Sequence, residues 1–195
     1  MTVNETAARA VSGMGWASTL ACSLFLATAQ GATTSGPSQD EVTAAYLFNF
    51  SKFVEWPEGT FSGTADPITI CVLGEGPFAT LLDDAVRGKV VNGRAIVVRG
   101  TSSISRTAGC HIVFLASSEP VRIEDALAKL ADRPVLTVSD ARSVADRGAV
   151  IGLRLEERRV RFEVNLAAAG RARLKLSSQL LKVAVRLVGQ GDRGQ

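Results

Sequence analysis

The stretch Ile68-Thr69-Ile70-Cys71-Val72-Leu73-Gly74-Glu75-Gly76-Pro77-Phe78 decides the fold of this chain. Its first six residues are β-branched or apolar and suit a central strand. Gly74 and Gly76 supply a tight turn. Pro77 then opens a helix, at a position where its missing N–H is not needed. The same residues hold Cys71 and the outline Gly74-x-Gly76-x-x-Ala79. They therefore offer either a disulfide staple or a phosphate loop, and the two lead to different classes of function.

The phosphate-loop option lacks its second half. A dinucleotide site needs an Asp or Glu at the end of the next strand to hold the ribose. That strand, residues 95–99, ends in Arg99-Gly100. The glycines are then turn residues, and no cofactor is expected.

Outward from this stretch, apolar runs predict further strands at residues 95–99, 111–115 and 135–138, with residues 89–93 a short extended piece or turn. Helices are expected at 77–86 and 122–131. Upstream, residues 39–53 have helix character, with Asp40 as a cap and Trp56-Pro57 as the stop. Downstream, residues 149–155 and 158–164 flank Glu156-Glu157 as an antiparallel hairpin. Charged and apolar residues alternate over 158–164, which predicts an edge ribbon with one wet face. Asn165 is expected to cap a helix over 166–173, and a last helix starts at Ser177 or Ser178 and runs to residue 187. The fold class is α/β: a single domain with a central, mostly parallel sheet flanked by helices, extended by the antiparallel C-terminal hairpin.

Residues 1–29 read as a secretory signal peptide. The apolar run 16–29 is short for a bilayer span and ends in Ala27-Thr28-Ala29, a small-x-small cleavage pattern. Thr19-Leu20-Ala21 before Cys22 is a poor lipobox, so no lipid anchor is expected. Residues 30–38 are then a flexible linker, 39–188 the folded domain and 189–195 a disordered tail. Net charge is +3, with 46% apolar and 6% aromatic residues and no block of five basic residues. That footprint argues against a nucleic-acid partner.

In an exported chain, Cys71 and Cys110 most simply pair; two buried free thiols and a reactive pair are the alternatives. His111 is the sole histidine and points to the opposite strand face from Cys110, which suits a hydrogen-bonded core residue better than a Cys/His catalytic pair. It has no companions spaced for a metal. Ser139 and Asp140 end the fourth strand, where α/β sheets bind ligands, and with Trp56 they are the candidate ligand pocket. No Gly-x-Ser-x-Gly elbow occurs, and Glu156-Glu157 is a hairpin tip facing water. The thin catalytic inventory favours binding over catalysis, so the protein is not expected to be an enzyme.

A set of ordered motifs resembles the YfiR family of periplasmic proteins. They run from Ala45-Tyr46-Leu47-Phe48-Asn49-Phe50 and Phe53-Val54-Glu55-Trp56-Pro57, through Cys110-His111-Ile112-Val113-Phe114 and Val135-Leu136-Thr137-Val138-Ser139-Asp140. They end in Arg161-Phe162-Glu163-Val164-Asn165 and Leu176-Ser177-Ser178-Gln179-Leu180-Leu181. The resemblance implies a periplasmic regulator that binds and inhibits the periplasmic sensor domain of an inner-membrane diguanylate cyclase, lowering cyclic di-GMP signalling. It also implies an outer-membrane lipoprotein as a further partner, and self-association. Cys71 and Cys110 match the family's disulfide. Phe162, Glu163 and Arg171 fall where partner contacts are expected, and Arg158 and Arg161 would add charge complementarity. Some family members carry a second disulfide near Ala145 and Gly152, where this chain has no cysteine. The competing function is a periplasmic small-ligand binding module without a cyclase partner.

Overall fold

Ser38 Oγ accepts the Glu41 N–H at 3.2 Å, and the Glu41 carboxylate accepts the Ser38 N–H at 2.7 Å. This capping box starts helix α1 (Gln39–Phe50), so Ser38 and not Asp40 is the cap. The helix stops three residues earlier than expected. Ser51 Oγ turns back onto the Phe48 carbonyl, and Val54–Glu55 is already the extended strand β1. The computed structural model describes residues 36–74, 76–117, 123–157 and 159–189. The expected signal segment, most of the linker, Arg158 and residues 190–195 lie outside them.

The chain continues through β2 (Ile68–Leu73), α2 (Phe78–Val86), β3 (Val90–Val91), β4 (Arg94–Thr101), β5 (Ile112–Leu115), α3 (Ile123–Leu130) and β6 (Leu136–Ser139). It closes with β7 (Ile151–Glu156), β8 (Arg159–Asn165), α4 (Leu166–Arg171), β9 (Lys175–Leu176), α5 (Ser178–Val183) and β10 (Arg186–Val188). The eight-stranded sheet has the order β10-β8-β7-β6-β5-β2-β4-β3, and β1 pairs separately with β9. From β4 to β7 all neighbours are parallel; β7 and β8 form the antiparallel hairpin, turning at Glu157 with φ 47°. Asn92 and Gly93, at φ 51° and 80°, make the tight turn between β3 and β4.

β2, β5 and β6 are buried at every residue, because both faces of the sheet are covered. On one face α1 and α2 pack Leu47, Phe50 and Leu82 against Ile70, Ile112 and Leu136. On the other, α3 packs Leu127 and Leu130 against Cys71, Val113 and Leu115. Cys71 and Cys110 lie on this second face, on neighbouring segments of the sheet with Cα atoms 5.8 Å apart, and are joined as a disulfide.

Two expectations for the C-terminal region need correction. The last helix ends at Val183, and residues 186–188 form β10, parallel to β8. The hairpin is therefore not the edge of the sheet. Ala184 is extended, and the Val185 N–H donates to the Phe162 carbonyl at 3.0 Å, so the β-branched run is drawn into the sheet. Asn165 caps α4 as expected, its Oδ1 accepting the Ala168 N–H at 2.8 Å.

Candidate functional site

The hairpin owes its position to aromatic packing. Phe162 sits edge-on to Phe50 and Tyr46 of α1, with ring centroids 5.2 and 5.7 Å away, and the Tyr46 hydroxyl donates to the Val160 carbonyl at 3.0 Å. Phe162 is 3% exposed and belongs to the core. At Phe162, where the resemblance implies a partner contact, the side chain is turned inward and holds α1 against β8. Glu163 faces the opposite way and is 2% exposed. Its carboxylate accepts hydrogen bonds from Arg154 on one oxygen and from Arg186, at 2.7 Å, on the other. Arg186 also forks onto Asp146 at 3.1 and 2.6 Å, and Arg154 reaches Glu156 at 3.0 Å. The Arg186 hydrogen bond, opposed by burial and helped by Arg154, holds the Glu163 carboxyl below the usual carboxylate range. Glu163 is thus the centre of an ion-pair network joining β7, β8, β10 and the Asp146 turn, and its carboxylate is not offered to a partner.

Arg161 and Arg171 do face solvent, one on β8 and one at the end of α4. Arg158 lies outside the described residues. Exposed Arg159, Arg173 and Lys175 extend the basic character of this region.

The three residues expected to share a ligand pocket do not meet. Trp56 lies near the amino ends of β2 and β5, where its Nε1 donates to the His111 carbonyl at 3.2 Å and its ring packs edge-on to Phe61. Ser139 and Asp140 lie at the carboxyl end of β6, the other end of the sheet. Ser139 is fully buried; its hydroxyl donates to the Leu115 carbonyl at 2.6 Å and accepts the Ala141 N–H at 3.1 Å, so it fastens β6 to β5. Asp140 accepts the Ser117 N–H at 2.7 Å and borders a cleft of about 580 Å³, together with Arg142, Arg154, Leu155 and Arg186. Gly74 and Gly76, at φ 148° and 128°, border a smaller recess of about 120 Å³. That is below the size of most small-molecule sites.

The surroundings of His111 favour its neutral form. Its Nδ1 accepts the Thr69 N–H at 3.0 Å, and its ring stacks on Phe61 at 4.3 Å, which in turn carries the Arg94 guanidinium at 3.9 Å. Burial lowers its pKa from 6.5; a hydrogen bond to the Thr60 backbone works against this, and the positive charge of Arg94 adds to it.

Arg154 and Arg186 are the site residues that sequence reasoning missed. Arg154 sits in an alternating charge pattern that resembles a wet strand face. Arg186 lies in a Val-Arg-Leu-Val run, whose β-branched character was the available signal for β10.

A solved structure with the same fold is a conserved domain protein from Vibrio cholerae O1 biovar El Tor. It aligns with a TM-score of 0.55 at 14% identity, covering 78% of this chain and 61% of that one. At that identity the likeness concerns the fold alone. The sequence profile of the YfiR/HmsC-like family matches residues 40–185, from the first turn of α1 to the residue before β10. With well over half of its length inside that profile, the chain belongs to the YfiR/HmsC-like family.

Proposed function

We propose that this protein is a periplasmic, non-enzymatic regulator that binds the periplasmic sensor domain of an inner-membrane diguanylate cyclase and holds it inactive. Family membership across nearly the whole described domain is the observation that carries this proposal. The cystine Cys71–Cys110 agrees with an oxidising compartment. No helix among the described residues is long and apolar enough to cross a membrane. The contact surface is the solvent side of β8 and α4, with Arg161 and Arg171 as its charged groups. Basic residues there call for an acidic face on the cyclase, which steers encounter more than it sets final affinity.

Deleting the gene raises cyclic di-GMP in the host, and unchanged levels would overturn the proposal. A chromosomal Arg161→Glu/Arg171→Glu double variant, made at normal protein level, raises cyclic di-GMP toward the deletion strain. It also loses co-purification with the cyclase's periplasmic domain. Both positions are exposed, so the fold is retained.

A further inference from the structure

β6 stops at Ser139, whereas its neighbour β7 runs on to Glu156. The two strands pair only at Val138–Ile151 and Ser139–Gly152. Beyond that point Leu153, Arg154 and Leu155 pair with β8 on one side and, among the described residues, have no strand on the other. The step leaves the cleft of about 580 Å³, within the size range of small-molecule sites. It opens at the carboxyl end of a parallel strand, where open α/β sheets take their ligands.

The lining combines charge with apolar surface. Leu155 is 58% exposed, and Val160 lies across the hairpin from it. Arg142, Arg154 and Arg186 all border the space. The buried Glu163 carboxylate fixes two of these guanidiniums, and Glu156 and Asp146 take up further nitrogens of the same two. Asp140 is occupied by the Ser117 N–H. Every carboxylate around the cleft thus already has a donor. Arg142 differs. Among the described residues its backbone carbonyl is used, by Arg147, but its guanidinium has no partner. A guanidinium without a partner, in a cleft that also presents the exposed Leu155 and the half-buried Val160, is a receptor for an anionic group on an apolar body.

We propose that this cleft binds a small molecule bearing a carboxylate or phosphate on an apolar body, with Arg142 pairing with the anion and Leu155 and Val160 covering the body. The proposal does not depend on a cyclase partner.

Isothermal titration of the purified protein with benzoate, phenyl phosphate and benzyl alcohol tests it. The expected result is saturable one-site binding of at least one anion and none of the alcohol. Benzoate alone would assign a carboxylate ligand, and phenyl phosphate alone a phosphate. Arg142→Ala weakens binding about tenfold or more, the usual effect of losing a charged hydrogen bond, with an unchanged thermal midpoint for the unliganded protein. Leu155→Ser weakens it as well, whereas Lys129→Ala, on the exposed side of α3, does not. Absence of anion binding at millimolar concentration overturns the proposal. So does binding that survives Arg142→Ala, or equal binding of benzyl alcohol.

Discussion

A carboxylate taken out of water without partners would be strongly destabilising, and the same group held by two guanidiniums is tolerated. Glu163 is in the second situation, and replacing it with glutamine removes the charge while keeping the shape. The Glu163→Gln variant should lose about 1–3 kcal/mol of stability in urea denaturation, as expected for hydrogen bonds to a charged group with half-exposed partners. Its native pKa lies below 4.5, so the unfolded chain takes up the proton first. The contribution is complete above 4.5 and disappears as pH falls through that value toward the native one. His111 acts in a different window. Its native pKa lies below 6.5, so the native state stays neutral where the unfolded state gains charge. Stability is full above pH 6.5 and declines as pH falls below it, and a His111→Gln variant should lack this first decline in acid titrations followed by circular dichroism. The core role of His111 was legible, since a lone histidine inside an apolar strand run has few other uses. The role of Glu163 was not. Alternating charges over 159–163 fit a half-wet strand equally well, and the two cations that claim Glu163 lie 9 residues earlier and 23 residues later.

At the level of elements, β2, β5 and β6 were readable because a strand buried on both faces is a local signal, a short apolar run between turn residues. β10 was not readable. Three residues suffice for it, their spacing also suits a helix, and their partner strand lies more than twenty residues upstream. The shared pocket drawn for Trp56, Ser139 and Asp140 failed for a related reason: both ends of a strand look alike in sequence, and only the topology separates them. Close packing between the Asp146 turn and β7 leads to a further expectation. A Cβ built on Gly152 would stand 3.4 Å from that of Ala145 and 3.1 Å from Val144 Cγ1. The first distance is near that of a cystine, and Val144 has to yield by only a few tenths of an ångström. The Ala145→Cys/Gly152→Cys double variant should oxidise spontaneously, so that thiol titration of the denatured, unreduced protein finds no more free thiols than in the parent. Two additional thiols would show that the turn and the strand are further apart than described.

On the scale of the whole molecule, the α/β class and the hairpin were available from the order of runs and turns, whereas the cleft was not. Its walls come from α1, the loop after β6, the β7–β8 hairpin and β10, which only the three-dimensional sheet order brings together. The cystine has a consequence on this scale as well. Between Cys71 and Cys110 the chain runs out through α2, β3 and β4 and returns by the exposed turn at Ser105 and Arg106. A protease that cuts in this excursion does not release a fragment, because both halves remain tied through β2 and the segment entering β5. Limited trypsin treatment that cleaves after Arg106 should therefore give one band on a non-reducing gel and two on a reducing gel. In the periplasmic setting proposed above, that arrangement converts a scission in this exposed turn from a loss of the molecule into a scar.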